Sequence, residues 1–348
     1  MTSIRFRFIS YYALFAIALG VISCQNRGKT EMVIDYLDFL HANTPPSTTV
    51  SFEGSSPFVI GKTEVISTGY MMYLYDSDDM LGITNQSFEL VCMAGHKGSG
   101  PGEINGVSGR FGQPIDSIGI LVSVFDPYLS SMFALDTETG IMQKIMQFPD
   151  SMSRYHPFDV MRLKNGVYIS PRGDFQYGIV SFNPKSNEVK EWPVGLKNID
   201  ITHPLENHVN LRAYDYNEKG GIIAEIYGTI PKIIIHDESG EIIRVFTITG
   251  MPRETDESKD YFRDICLTDE FIFLLWGDPS FDPTSHVLVM THSGQPIVSL
   301  KIRPTHNITI DISNSCIIST NPEIDDANIE VYGPIEQLVP NHQYIFDR

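Results

Sequence analysis

Basic residues are scarce in this sequence: 25 Lys and Arg stand against 43 Asp and Glu in 348 residues, a formal net charge of −18. Such a surface repels phosphate backbones and anionic headgroups, which argues against nucleic acid as a partner. Helical periodicity of useful length is missing after residue 46. In its place stand β-branched and aromatic runs punctuated by Gly, Pro, Asn and Asp, the pattern of an all-β chain. No Gly-x-Ser-x-Gly elbow, no His-Glu-x-x-His and no metal-type cysteine spacing occurs, so no local catalytic signature is present. Cysteine is sparse, with four residues, and the one long apolar stretch lies at the amino terminus.

That stretch reads as a targeting segment, to be set aside before any reasoning about fold. Arg5 and Arg7 give a positive start, Ile9 to Ile22 an apolar middle, and Val21-Ile-Ser-Cys24 an ending with a small residue before a cysteine. The ending resembles the lipobox of bacterial lipoproteins, which implies that residues 1–23 are a signal peptide and that Cys24 carries lipid. More than one acyl chain on that cysteine gives stable attachment. Removing residues 1–23 takes away two basic residues and no acidic one, so the mature charge becomes −20. Residues 24–46, ending in Asn43-Thr-Pro-Pro-Ser-Thr-Thr, read as an anchor and polar tether. Gln25 after the cysteine points to the outer membrane. Three mature cysteines, Cys92, Cys266 and Cys316, lie in apolar strand contexts and are expected to be buried rather than bridged.

Residues 47–348 carry a repeat. Short apolar β-runs begin at Met71, Ile120, Val167, Ile222, Phe271 and Cys316, with spacings of 49, 47, 55, 49 and 45 residues. Hairpin turns such as Asp136-Thr-Glu-Thr-Gly140 and Asp237-Glu-Ser-Gly240 follow four of them. A period of this size, at three or four strands per copy, predicts a six-bladed β-propeller. Ring closure is expected to join Ser51 to Glu64 with the carboxy-terminal run Ile329 to Tyr332.

After the first blade comes Gly95-His-Lys-Gly-Ser-Gly-Pro-Gly-Glu103. It resembles the Gly-x-x-Gly-x-Gly-Pro-Gly-Glu signature of the TolB-like six-bladed propeller lipoproteins of Bacteroidetes. The loop lacks the Gly-Lys-Ser/Thr ending and the following helix of a phosphate-binding loop, so its glycines are expected to serve a tight crossover.

In a four-stranded blade the loop after the second strand and the crossover to the next blade emerge on one face. If the six β-runs are second strands, that face gathers an acidic rim. His96, Lys97 and Glu103 from the crossover, with Tyr128, Arg172, Asp174, Phe175, Trp276 and Asp278 from the loops, are the candidate ligand-binding residues. Aromatic platforms flanked by Arg and carboxylates suit a protein or glycan ligand in the cell envelope. The alternative is a hard cation, calcium, held at the channel mouth for lactonase-like hydrolysis.

Overall fold

All six β-runs are second strands. The computed structural model describes residues 30–42, 44–52, 58–173, 178–193, 211–228, 230–251, 262–277, 282–322 and 328–335, and these form six blades of four antiparallel strands each, five of them consecutive in the chain and the sixth completed by an amino-terminal strand. Blade 1 comprises Val59–Ile66, Gly69–Tyr75, Asp79–Asn85 and Leu90–His96; blade 2 comprises Gln113–Pro114, Leu121–Asp126, Ser131–Asp136 and Met142–Gln147. Blade 3 contains Met161–Arg162, Tyr168–Pro171, Ile179–Asn183 and Glu188–Glu191, and blade 4 Leu211–Asn217, Ile222–Tyr227, Lys232–Asp237 and Ile242–Thr249. In blade 5 the strands are Phe262–Leu267, Phe271–Trp276, Ser285–Thr291 and Pro296–Ile302; in blade 6 they are Asn307–Asp311, Cys316–Thr320, Asn328–Tyr332 and Ser47–Ser51.

The second strands are continuous apolar runs because both of their faces are covered. In blade 5, Ile272, Leu274 and Trp276 pack towards blade 4, while the alternating Phe271, Phe273 and Leu275 pack towards blade 6. Each pair of neighbouring blades encloses one apolar cluster. Met71 and Leu81 meet Val122 and Phe133 between blades 1 and 2; Phe148 meets Tyr168 and Phe182 between blades 2 and 3. Trp192 meets Tyr214 between blades 3 and 4, and Ile318 meets Ile60 and Tyr70 between blades 6 and 1. The ring is therefore closed, and it is a six-bladed β-propeller.

Closure differs in register from the expectation. Ser47–Ser51, rather than a segment reaching to Glu64, pairs antiparallel with Asn328–Tyr332 as the outermost strand of blade 6, while Val59–Ile66 opens blade 1. Its hydroxyl-rich sequence, Ser-Thr-Thr-Val-Ser, suits a strand that stays mostly exposed. The irregular stretch from Gly195 falls outside the described residues, and blade 4 begins at Leu211.

The segment read as a tether is partly built into the propeller. Thr30–Asp35 adds a fifth, parallel strand to the outer edge of blade 4, and Leu40–Ala42 does the same on blade 5. Between them Asp35 caps a short 3-10 turn by accepting from the Leu37 N–H at 3.0 Å, and Tyr36 and Phe39 are buried. The chain thus runs as a strap around blades 4, 5 and 6 before blade 1 starts. Its sequence signal was weak because the strands are short and flanked by polar residues. Residues 1–29, with Cys24, lie outside the described residues.

Candidate functional site

Strand direction sends the loops after the second strands and the crossovers to one face, the rim, and the paired hairpins of each blade to the other. On the rim, the Gly-rich crossover is closed upon itself. Lys97 N–H donates to the Asp78 carbonyl at 2.8 Å, Ile104 N–H to the His96 carbonyl at 3.0 Å, and Gly100 N–H to the Glu103 carboxylate at 2.6 Å. A side chain at Gly98 or Gly100 would collide with that carboxylate, which explains the glycines at these two positions. Glu103 is thereby a loop-closing residue. His96 is exposed and faces Asp79 at 3.2 Å; Lys97 is exposed.

The remaining predicted residues divide sharply. Tyr128 is 78% exposed and stands over Gly106, and among the described Tyr, Phe and Trp residues of the set it alone has an exposed ring. Its turn is held by Asp126, a buried carboxylate that accepts from the N–H groups of Tyr128, Leu129 and Asn105. Arg172 lies over the Tyr155 ring at 4.8 Å and pairs with Glu191 at 2.8 Å, while Arg154 covers Tyr155 at 4.7 Å. Trp276 does not stand in the rim. It is 4% exposed, in the core between blades 4 and 5, with Tyr36 of the strap edge-on at 5.4 Å and His286 at 4.5 Å. Its position at the end of a run buried on both faces, under the strap, explains the difference. Asp174, Phe175 and Asp278 lie outside the described residues.

A second constellation, absent from the sequence reading, sits on the propeller axis. Lys62 and Glu64 of blade 1, Arg110 ahead of blade 2, Asp159 ahead of blade 3, Asp215 of blade 4 and Asp264 of blade 5 converge there. Arg110 is the hub: its guanidinium lies 3.4 Å from Glu64, 4.0 Å from Asp215 and 3.4 Å from Asp264. It also donates to the backbone carbonyls of Ile265 at 2.6 Å and Tyr214 at 3.2 Å. Lys62 meets Glu64 at 3.2 Å. One planar fork thus ties three blades together, a task suited to arginine's fixed donor geometry.

The carboxylates are also stitches between inner strands. Asp215 accepts the Leu267 N–H of blade 5 at 2.6 Å, and Asp264 accepts the Ile308 N–H of blade 6 at 3.0 Å. Asn307 of blade 6 donates to the Gly61 carbonyl of blade 1 at 2.8 Å, and the Thr309 hydroxyl donates to the Thr63 carbonyl. Innermost strands would otherwise present unpaired backbone groups to the axis.

Four carboxylates face two cations in this desolvated space. Burial pushes Glu64, Asp159 and Asp215 above the usual carboxylate range despite the nearby Arg110 and, for Glu64 and Asp159, Lys62. For Lys62, burial and the neighbouring Arg110 disfavour the charge, but Asp264, Glu64 and Asp159 outweigh them and hold it above the ordinary lysine range.

A pocket of about 200 Å³ opens from this cluster towards the hairpin face, lined by Glu64, Val65, Arg110, Gln113, Asp215 and Tyr216 among others. It therefore lies away from the rim. The missed residues carried a positional signal. Glu64, Asp215, Asp264 and Thr309 each stand seven residues before the start of their blade's β-run, and Asp159 eight. Aligning the repeats on those runs puts a polar residue in, or just ahead of, the inner strand of each of these five blades.

No protein-family model matches the chain, and no curated protein does. The likenesses are structural. A member of the DUF4221 family from Bacteroides vulgatus superposes with a TM-score of 0.56 at 12% identity, over 83% of this chain and 96% of its own. A Bacteroides fragilis protein provisionally described as exported gives 0.52 at 12% identity, over 87% and 99%. A streptogramin B lyase gives 0.50 at 12% identity, over 82% and 97%. The chain shares their fold. At this identity the fold alone is common, and a propeller serves many functions. Among the described residues no group of three His, Cys, Asp or Glu side chains is placed to hold a metal ion. The calcium expectation thus has no ligand set there, and Asp278 and residues 323–327 of the expected mouth fall outside the described residues. Cys92, Cys266 and Cys316 are unbridged, and burial pushes the Cys316 thiol up to about 12.

Proposed function

We propose that the protein is a non-catalytic, lipid-anchored envelope lipoprotein of the TolB-like propeller kind. It binds an envelope protein or glycan, taking one polar end group of that ligand into the axial pocket. The observation that carries this reading is the convergence of Glu64, Arg110 and Asp215, from blades 1, 2 and 4, on one pocket. Their side chains are locked by one another and by backbone carbonyls, as a preorganised recognition site requires. The described polar residues of the rim, by contrast, mostly serve their own loops.

Size and charge narrow the ligand. The pocket is smaller than the several hundred Å³ that enclose a whole small-molecule ligand, so it suits one sugar or one residue at the end of a longer chain. Two carboxylates, Glu64 and Asp215, against one arginine in the pocket lining favour an end group bearing an amine, as a lysine side chain or an amino sugar does. The lipobox-like Val21-Ile-Ser-Cys24 supports a place outside the cytoplasm. Glycyl-lysine and glucosamine are the defining probes for thermal unfolding. At least one should raise the melting temperature by mass action, and its N-acetylated form should raise it less. Glu64→Gln should abolish the difference. Equal melting temperatures with and without both amines would overturn the assigned end group.

A further inference from the structure

The strap around blades 4 and 5 carries the second feature with a use. Within eight residues it exposes Val33 at 68%, Leu37 at 75% and Leu40 at 50%, while Ile34, Tyr36 and Phe39 turn inwards. Ile243, on the outer strand of blade 4 beside the start of the strap, is 39% exposed. Isolated exposed aliphatics need no explanation, but three within eight residues of one edge segment do. Acidic groups are interleaved with them: Glu31 pairs with Lys232 at 2.7 Å, Asp35 accepts from the Leu37 N–H, and Asp38 is exposed beside Leu37.

The length of chain ahead of the strap says what can cover it. Six residue steps separate Cys24 from Thr30, a reach of at most about 20 Å when fully extended. A lipid on Cys24 would therefore keep the outer edge of blade 4 within about that distance of the bilayer surface. We propose that the strap is a membrane-contact edge: Val33, Leu37, Leu40 and Ile243 rest in the bilayer interface and set the propeller edge-on. This rests on the lipid-anchor reading of Cys24. It replaces a domain held away on a tether with one docked at blades 4 and 5, leaving both the rim and the pocket face open sideways. The mature net charge of −20 opposes binding to anionic lipid, so the surface suits zwitterionic lipid, with apolar burial as the attraction.

Site-specific labelling of the full chain tests this in its own membrane fraction. Leu37→Cys and, across the ring on blade 2, Ile141→Cys, which replaces an isoleucine that is 68% exposed, would each carry an environment-sensitive fluorophore. Buried, raised-pKa thiols at Cys266 and Cys316 and the half-buried Cys92 should react slowly by comparison. The expected result is a blue shift at position 37 and strong quenching there by spin-labelled lipid, with neither at position 141. Equal, weak quenching at both positions in a membrane-held protein would overturn the contact and leave the anchor standing. A blue shift at position 37 without lipid quenching would mean that a protein, such as a second copy, covers the strap, and would overturn the lipid assignment. A wild-type protein found wholly in the soluble fraction would remove the anchor and this proposal with it.

Discussion

Arg110 holds the axis together, so its removal is the sharpest test at the scale of single residues. Replacing it with methionine keeps much of the volume but leaves Glu64, Asp264 and the carbonyls of Ile265 and Tyr214 without their donor. Uncompensated buried charge costs about 3–5 kcal/mol, so equilibrium denaturation should show a loss of that order. The raised carboxyls give a second test, through pH. A carboxyl whose native pKa lies above its unfolded value contributes stability that is complete below the unfolded value and is lost as pH rises through the native one. Glu64, Asp159 and Asp215 all have that sign. Their share of stability should therefore grow as pH falls from about 7 to about 5, above the usual carboxylate range. His236 adds in the same direction, since Glu225 and the Gly240 carbonyl outweigh the effect of burial and hold its pKa up. Comparing Asp159→Asn with the parent isolates one group: the melting temperature of the variant should rise less over that interval. Parallel profiles would contradict the shift assigned to Asp159.

At the scale of elements, the second strands were legible from composition because a strand buried on both faces has no polar alternation to interrupt it. Phe271–Trp276 is the clearest case. The inner strands were not legible in the same way, for their meaning lies in side chains that reach the next blade. A single Asp215 between two tyrosines reads as an exposed polar residue until the ring brings Leu267 beside it. Trp276 was misplaced for a related reason: nothing local in the sequence says that Tyr36 and Phe39, more than two hundred residues earlier, come to lie over its end of the strand. The strap is thus a structural element as well as a membrane edge. Phe39→Ala should destabilise the protein by about 3–5 kcal/mol, the usual cost of emptying a buried phenylalanine site. Unfolding by urea measures this, and a loss near zero would mean that the strap does not pack on blades 4 and 5.

For the whole molecule, the repeat period reported the architecture because each blade buries its faces against both neighbours and so must recur at a fixed length. Function was less legible. Loops on the rim attract attention through their Asp, Gly and aromatic content, yet Glu103 and Asp126 are there to close turns. The axial residues, scattered one or two to a blade through five blades, meet only once the ring closes. In the proposed function, ligand enters at the pocket face rather than at the rim. Quantitative affinity capture from envelope extract, with Val65→Trp obstructing the pocket and Tyr128→Ala removing the exposed rim aromatic, decides between the two faces. The prediction is that a partner recovered by the parent protein is lost with Val65→Trp and retained with Tyr128→Ala; retention with Val65→Trp and loss with Tyr128→Ala would contradict it.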